Sequence, residues 1–173
     1  MSIVALVLDA GASERSRAVL EGVVTEACAS QCAHVGVVLG PDARDVARRM
    51  VGRSVMLVLN AAWDEGIASS VRTGMLWASR YQAVVICMCD EPQISTSHLD
   101  ALIAAHQATG RTVATRHRGR IGAPVVFGSA SYPALAALRG DEGPWSLIDE
   151  DAVIIDGPAS EGLTRQSGAM RSL

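Results

Sequence analysis

Gln82-Ala83-Val84-Val85-Ile86-Cys87-Met88-Cys89-Asp90-Glu91-Pro92 is the stretch on which the reading of this chain turns. Residues 83–89 are apolar without a break and rich in β-branched side chains. The run is too short to span a bilayer and reads as a strand buried on both faces. Such a strand is the centre of a parallel sheet with helices above and below it. Asp90 stands at its carboxyl end, just where open α/β sheets bind ligands. Pro92 ends ladder pairing and sets the exit turn. Asp90 is either a hard-metal ligand facing a cleft or a carboxylate capping a turn. Glu91 is a second acceptor or a solvated neighbour.

Upstream, residues 3–8 form a first apolar strand that runs into Asp9-Ala10-Gly11-Ala12-Ser13-Glu14-Arg15-Ser16-Arg17. A loop of small residues after a first strand can present backbone N–H groups to phosphate. It matches neither GxGxxG nor a P-loop, and a plain strand-to-helix connection explains it equally well. The spacing predicts a helix over 18–33, a strand over 35–39 closed by Gly40-Pro41, a solvated helix over 42–50, and a third strand over 54–59. Residues 60–74 then pass through Trp63 into a helix beginning near Ser69 and ending near Arg80. Free N–H groups at that helix start, with Ser69, Ser70 and Arg72, suit an anion. An ordinary serine cap with Trp63 plugging the core suits the same residues.

Downstream, Ser97-His98-Leu99-Asp100 has capping-box spacing, and Leu99, Leu102, Ile103 and His106 recur at helical intervals. His106 reads as a helix-face residue. Short strands are expected at 112–115 and 125–127, around the basic turn Arg116-His117-Arg118-Gly119-Arg120. That turn reads as a charged edge that discourages aggregation, ahead of a loop over phosphate. A short helix over 129–138, an acidic turn at 140–145 and a last strand over 152–155 follow. That strand ends at Asp156, a second acid closing an apolar run. With no repeat and no internal linker, residues 1–163 read as one domain and residues 164–173 as a loosely ordered tail.

Of 173 residues, 49% are hydrophobic and 19% charged, a globular composition. A net charge of −3 gives no electrostatic footprint for nucleic acid. Met1-Ser2 leads straight into a strand without a basic segment, and no apolar run reaches membrane length, so a cytoplasmic protein is expected. Cys28, Cys32, Cys87 and Cys89 lack the usual knuckle spacing and read as small buried hydrophobes. The chain holds no lysine, so any positive charge at a phosphate must come from arginine or histidine.

Taken in order, these landmarks resemble the MobA/MocA-like nucleotidyltransferases of molybdenum-cofactor maturation. The family's LAAGxSxRMGxxK loop is met by Leu8-Asp9-Ala10-Gly11-Ala12-Ser13-Glu14-Arg15-Ser16. Its NxxWxxGxxxSxxxG stretch is met by Asn60, Trp63, Gly66, Ser70 and Gly74. Its (C/A)DQP strand end is met by Cys89-Asp90-Glu91-Pro92, and its GHPVLF by Gly122-Ala123-Pro124-Val125-Val126-Phe127. Its GDxGxRxLL turn is met by residues 140–148. The resemblance implies a three-layer α/β/α, Rossmann-like, mostly parallel sheet with a small antiparallel edge. It implies Mg²⁺-dependent transfer of a nucleotide from CTP or GTP to a phosphate of molybdopterin, releasing pyrophosphate. A molybdoenzyme is then an expected protein partner. By resemblance Asp90 and Asp156 hold the metal, with Asp90 and Arg15 catalytic. Ala10, Gly11, Ala12 and Ser13 cradle phosphate, and Asn60, Gly66, Ser69 and Ser70 line the nucleotide and acceptor sides.

The departures fall on functional positions. The MGxxK segment and its lysine are missing, Asp9 replaces a small neutral residue, Glu91 replaces glutamine, Ala123 replaces histidine, and the arginine of the GDxGxR turn is absent beside Trp145. A carboxylate about 6 Å from a phosphate charge costs about 3 kcal/mol at an effective dielectric of about 20. The alternative expectation is therefore a non-catalytic nucleotide- or cofactor-binding protein on the same fold.

Overall fold

The chain alternates strands and helices from its first residues. In order they are β1 (Ile3–Leu8), α1 (Glu14–Ala29), β2 (His34–Leu39), α2 (Ala43–Arg49), β3 (Val55–Leu59), α3 (Ile67–Ala78), β4 (Ala83–Met88), α4 (Thr96–Thr109), β5 (Val113–His117), β6 (Arg120–Gly128), α5 (Tyr132–Ala137) and β7 (Val153–Asp156). Short 3-10 turns occupy Trp63–Glu65, Ser129–Ser131 and Pro144–Leu147. The computed structural model describes residues 2–8, 14–89 and 94–158, the side chains of 14–16 excepted.

Among the described residues, seven strands form one sheet in the order β3-β2-β1-β4-β6-β5-β7. β1 lies parallel to β4, with Ile3 opposite Ala83 and Leu8 opposite Met88, and parallel to β2 on its other side. Every residue of β1 and β4 is buried, as the apolar run requires. β6 alone runs against its neighbours β4 and β5, and β5 and β7 are parallel again. The expected α/β sheet is present, and its antiparallel part is β6, set between two strands that run with β4.

Alternation along the strands divides the core into two layers. Ile3, Ala5, Val7, Val85, Cys87 and Cys89 pack with Leu20, Val23, Val24 and Ala27 of α1, Val46 of α2, and Leu99, Leu102 and Ile103 of α4. Val4, Leu6, Leu8, Val84, Ile86 and Met88 pack with Ala68, Val71, Met75 and Trp77 of α3 and Leu135 of α5. The helical residues recur at i, i+3, i+4 and i+7, so each helix gives one stripe to the sheet. Cys87 and Cys89 are buried as expected, Cys28 is exposed, and Cys32 is half-buried with burial pushing its thiol up to about 11.

Three local readings need correction. α1 begins at Glu14, not near residue 18, so Arg15 and Arg17 belong to its first turn. α4 is capped by Ser95, in extended conformation, whose side chain accepts from the His98 amide; the cap is not Ser97. Asp100 instead accepts from the Gln31 amide at 2.8 Å, tying α4 to the end of α1. β6 extends from Arg120 through Pro124, beyond the expected 125–127. The pairing register jumps between Ala114 and Thr115, so that Gly122 and Val125 face successive residues of β5. Pro124, which has no N–H to donate, sits in that irregularity and leaves the ladder intact on either side.

Gly74 brings α3 onto the sheet. A Cβ added there would lie 2.4 Å from Leu6 Cδ2 and 3.0 Å from Leu6 Cγ, and Leu6 is fully buried. Gly74→Ala should therefore lower unfolding stability by about 1–3 kcal/mol through overpacking, read as a lower midpoint in urea with an unchanged slope.

Candidate functional site

The carboxyl ends of β1, β2, β3, β4, β5 and β7 all lie at one edge of the sheet, as their pairings require. β1 and β4 end side by side, and the Cys89 amide carries their ladder one step further by donating to the Leu8 carbonyl at 3.1 Å. Segments 9–13 and 90–93 follow these two neighbouring strand ends in the sequence. Ala10, Gly11, Ala12, Ser13 and Asp90 lie outside the described residues, as does the side chain of Arg15. Asp156 closes β7 at the same edge, three strand spacings or about 14 Å from β4. It is 77% exposed, with Arg116 Nη1 3.4 Å away. A groove of about 200 Å³ beside it is lined by Arg116, His117, Arg118 and Gly157.

Residues 60–74 are brought against residues 138–141. Asn60 is 1% exposed. Its Nδ2 donates to Ser69 Oγ at 2.8 Å and Ser70 Oγ at 3.1 Å, and its Oδ1 accepts from the Ala62 amide at 3.0 Å and Thr73 Oγ1 at 3.3 Å. Its own amide donates to Leu39 O at the end of β2. Asn60 therefore spends its side chain on tying β3 to the start of α3. The expectation of free N–H groups at that helix start is met differently. The Ala68 amide donates to Gly140 O at 3.0 Å and the Ser69 amide to Gly66 O at 3.1 Å, while Ser69 Oγ also donates to Gly66 O. The turn at Gly140 caps the helix in the way a ligand would.

Gly66 makes this close approach possible. Its φ of +97° suits glycine, and a Cβ would fall 2.5 Å from Gly140 O and 2.6 Å from Asp141 Oδ1. Arg72 reinforces the junction, donating to Leu138 O at 2.8 Å and pairing with Glu65 at 2.9 Å. Its charge is held by protein groups. Arg17 is likewise committed, 2.8 Å from Asp42. Trp63 and Trp145 flank the region 49% and 43% exposed. Trp63 is not the core plug that its spacing allows, since about half of it is exposed.

Two supports were not visible as site residues in the sequence. Glu26 of α1 accepts from the Thr96 amide and from Thr96 Oγ1, both at 2.7 Å. These bonds hold its carboxyl below the usual carboxylate range and place a negative charge at the start of α4. His98, one turn further, is 7% exposed, with Nε2 2.9 Å from Thr115 Oγ1, which in turn donates to Pro124 O at 2.8 Å. A hydroxyl has one proton, so His98 carries its own on Nε2. Together they fix the helix that follows residues 90–93. A serine three residues before a histidine was the only hint. His106 is a buried helix-face residue, as read, its Nδ1 2.7 Å from Arg111 O.

Among the described residues, no three His, Cys, Asp or Glu side chains converge on a metal position. Asp156 stands there as an exposed carboxylate paired with Arg116. Mg²⁺ is held by one or two carboxylates together with substrate phosphates, and a full protein cage is not needed.

The MobA-like NTP transferase domain matches residues 5–154. The chain belongs to this family. It is 25% identical over 150 residues to nicotine blue oxidoreductase of Paenarthrobacter nicotinovorans, covering 82% of this chain and 73% of that one. It is 33% identical over 87 residues to purine catabolism protein PucB of Bacillus subtilis, covering 49% of this chain and 42% of that one. Rv0371c of Mycobacterium tuberculosis superposes with a TM-score of 0.77 at 25% identity, over 91% of this chain and 89% of that one. The same mycobacterial protein is known as a manganese complex, at 24% identity and over 91% and 90% of the two chains. A nucleotidyl transferase of Methanothermobacter shares the fold with a TM-score of 0.67 at 21% identity, over 84% and 80%. For this MobA-like chain, no helix among the described residues is long and apolar enough to cross a membrane.

Burial holds His98 below its ordinary 6.5 in the folded chain. The unfolded chain then binds the proton more readily, so stability is complete above about pH 6.5 and falls as pH drops below it. His98→Gln should remove part of that loss. The melting temperature of the wild type should fall more than that of the variant between about pH 7.5 and pH 5.5, by parallel thermal melts.

Proposed function

We propose that the chain is a Mg²⁺-dependent nucleotidyltransferase that moves a nucleoside monophosphate from CTP or GTP to a phosphate of molybdopterin, releasing pyrophosphate. What supports the reading is the adjacency, at one sheet edge, of the strand ends from which the family's stretches follow. β1 and β4 deliver residues 9–13 and 90–93 from adjacent strands, and Gly66 joins residues 60–74 to the turn at Gly140. An acceptor phosphate oxygen forms a bond to the α-phosphorus as the bond to the bridging oxygen breaks, and the electron pair leaves on pyrophosphate. Backbone N–H groups of Ala10, Gly11, Ala12 and Ser13 bind the triphosphate, and Arg15, in the first turn of α1, neutralises its developing charge. Mg²⁺, when bound, screens the triphosphate and polarises the α-phosphate; Asp90 holds it. Asp156 takes part where substrate extends along the edge toward β7. Asn60, Ser69 and Ser70 act by shape, keeping the Gly66 junction closed beneath the nucleotide. The reading sets the reaction in the cytoplasm, in molybdenum-cofactor maturation, with a molybdoenzyme receiving the product. The manganese complex of the mycobacterial relative supports a divalent ion in this fold.

A second reading rests on the missing charge. The chain has no lysine, and Arg17 and Arg72 are engaged by Asp42 and Glu65. A binding protein without transfer chemistry would tolerate both facts. The relatives are named for an oxidoreductase and for purine catabolism, so an acceptor other than molybdopterin also fits the family.

Calorimetry with CTP, GTP and ATP, each with and without Mg²⁺, separates these readings. Metal-dependent binding to the wild type that disappears in Asp90→Ala supports the enzyme, and binding of the nucleotide without metal dependence or pyrophosphate release supports the second. No binding at about millimolar nucleotide, an interaction weaker than about 4 kcal/mol, would falsify both. Asp9→Ala should tighten nucleotide binding by up to about a hundredfold, the equivalent of the repulsion it removes. An unchanged dissociation constant would mean that the first loop does not meet phosphate.

A further inference from the structure

The sheet finishes differently at its two sides. At one, β7 is preceded by Asp149, Glu150 and Asp151 and closed by Asp156, beside the arginines of the β5–β6 turn. Charges of this kind keep an edge strand from pairing with another chain. At the other, residues 54–62 read Ser-Val-Met-Leu-Val-Leu-Asn-Ala-Ala, without a charge, a proline or a glycine. β3 pairs with β2 along one side, and among the described residues its other side has no neighbouring strand.

Large apolar side chains line that strand and the turn before it. Met56 is 50% exposed, Leu57 37%, Leu59 64% and Val51 81%. Val55 reaches the core layer of α1 and α2 and Val58 that of α3, so alternation puts Leu57 and Leu59 on the first face and Met56 on the second. Thr73 donates to Asn60 Oδ1, which turns one flank of α3 toward the end of β3, while Arg72 turns the opposite flank toward Leu138. The four side chains present roughly 400 Å², within the range that monomers expose as a single, often functional, patch. Two copies would cover about 800 Å² before any paired backbone is added, and the ladder of β3 brings the total toward the size of specific interfaces.

We propose that β3 pairs antiparallel with β3 of a second copy, joining the two sheets into one continuous sheet. A twofold axis at Leu57 sets Met56 opposite Val58 and Val55 opposite Leu59, each pair on one face. The strand is thereby its own complement: uncharged, apolar on both faces and in need of no opposite charge. Val51, in the turn that leads into β3, extends the contact beside the joined strands.

Sedimentation velocity on the full chain tests this. The wild type should be a dimer at about 50 µM, and Leu59→Arg and Met56→Arg, one on each face of β3, should each weaken the dimer at least about tenfold. Both side chains are at least half exposed, so both variants should keep the wild-type circular dichroism spectrum. Ile121→Arg, at the remote β5–β6 turn, should dimerise as the wild type does. A monomeric wild type at that concentration overturns the proposal, including one whose β3 edge captures an unrelated protein instead. A dimer that survives both substitutions with folded protein overturns it as well.

Discussion

The pairing of β1 with β4 governs the molecule. Every residue of both strands is buried, so both faces of the sheet must be roofed by helices. Two apolar layers follow, with α1, α2 and α4 on one side and α3 and α5 on the other. Covered faces leave only the strand ends free to present polar groups, and the connections after β1, β3, β4 and β5 emerge at one of those ends. The placement of the candidate site is thus a consequence of burying twelve backbone positions completely.

The parts of the fold written in period and run length were readable from residues alone. The uninterrupted runs at 3–8 and 83–89 appear as strands, the second ending one residue early at Met88, because a doubly buried strand has no solvent face to blur its pattern. β6 was harder. Gly122 and Pro124 look like turn residues in sequence, yet a register shift beside Thr115 accommodates them within a strand. The start of α1 was also misjudged, since Glu14 to Arg17 read as loop by composition and are helix by context. The cap of α4 was displaced by two residues because the competing acceptor, Glu26, comes from an element 70 residues away; no local window contains it.

The site was legible in outline and misleading in detail. Asn60, Gly66, Ser69 and Ser70 stand together at one junction, with hydrogen bonds turned inward. Asn60 satisfies three parts of the chain at once, and Gly66 lets two backbones touch. A motif residue marks where a family must hold its shape as readily as where it holds its substrate. The charges show the same division, with Arg17 and Arg72 serving the scaffold. Sequence gives residue type and order; whether a donor faces ligand or carbonyl is decided by packing between distant segments.

The disposition of sulfur has a practical side. Cys87 and Cys89 are sealed in the core, Cys32 is half-buried with a thiol pushed up to about 11, and Cys28 is exposed in the last turn of α1. That turn lies at the end of the helix farthest from the strands' carboxyl ends. A maleimide fluorophore would therefore attach first at Cys28, remote from the edge that carries the candidate site, without engineered cysteines. Because the chain holds no lysine, amine-reactive crosslinkers would find no side chain to join, which makes this thiol the natural side-chain handle for tethering the native molecule to a surface.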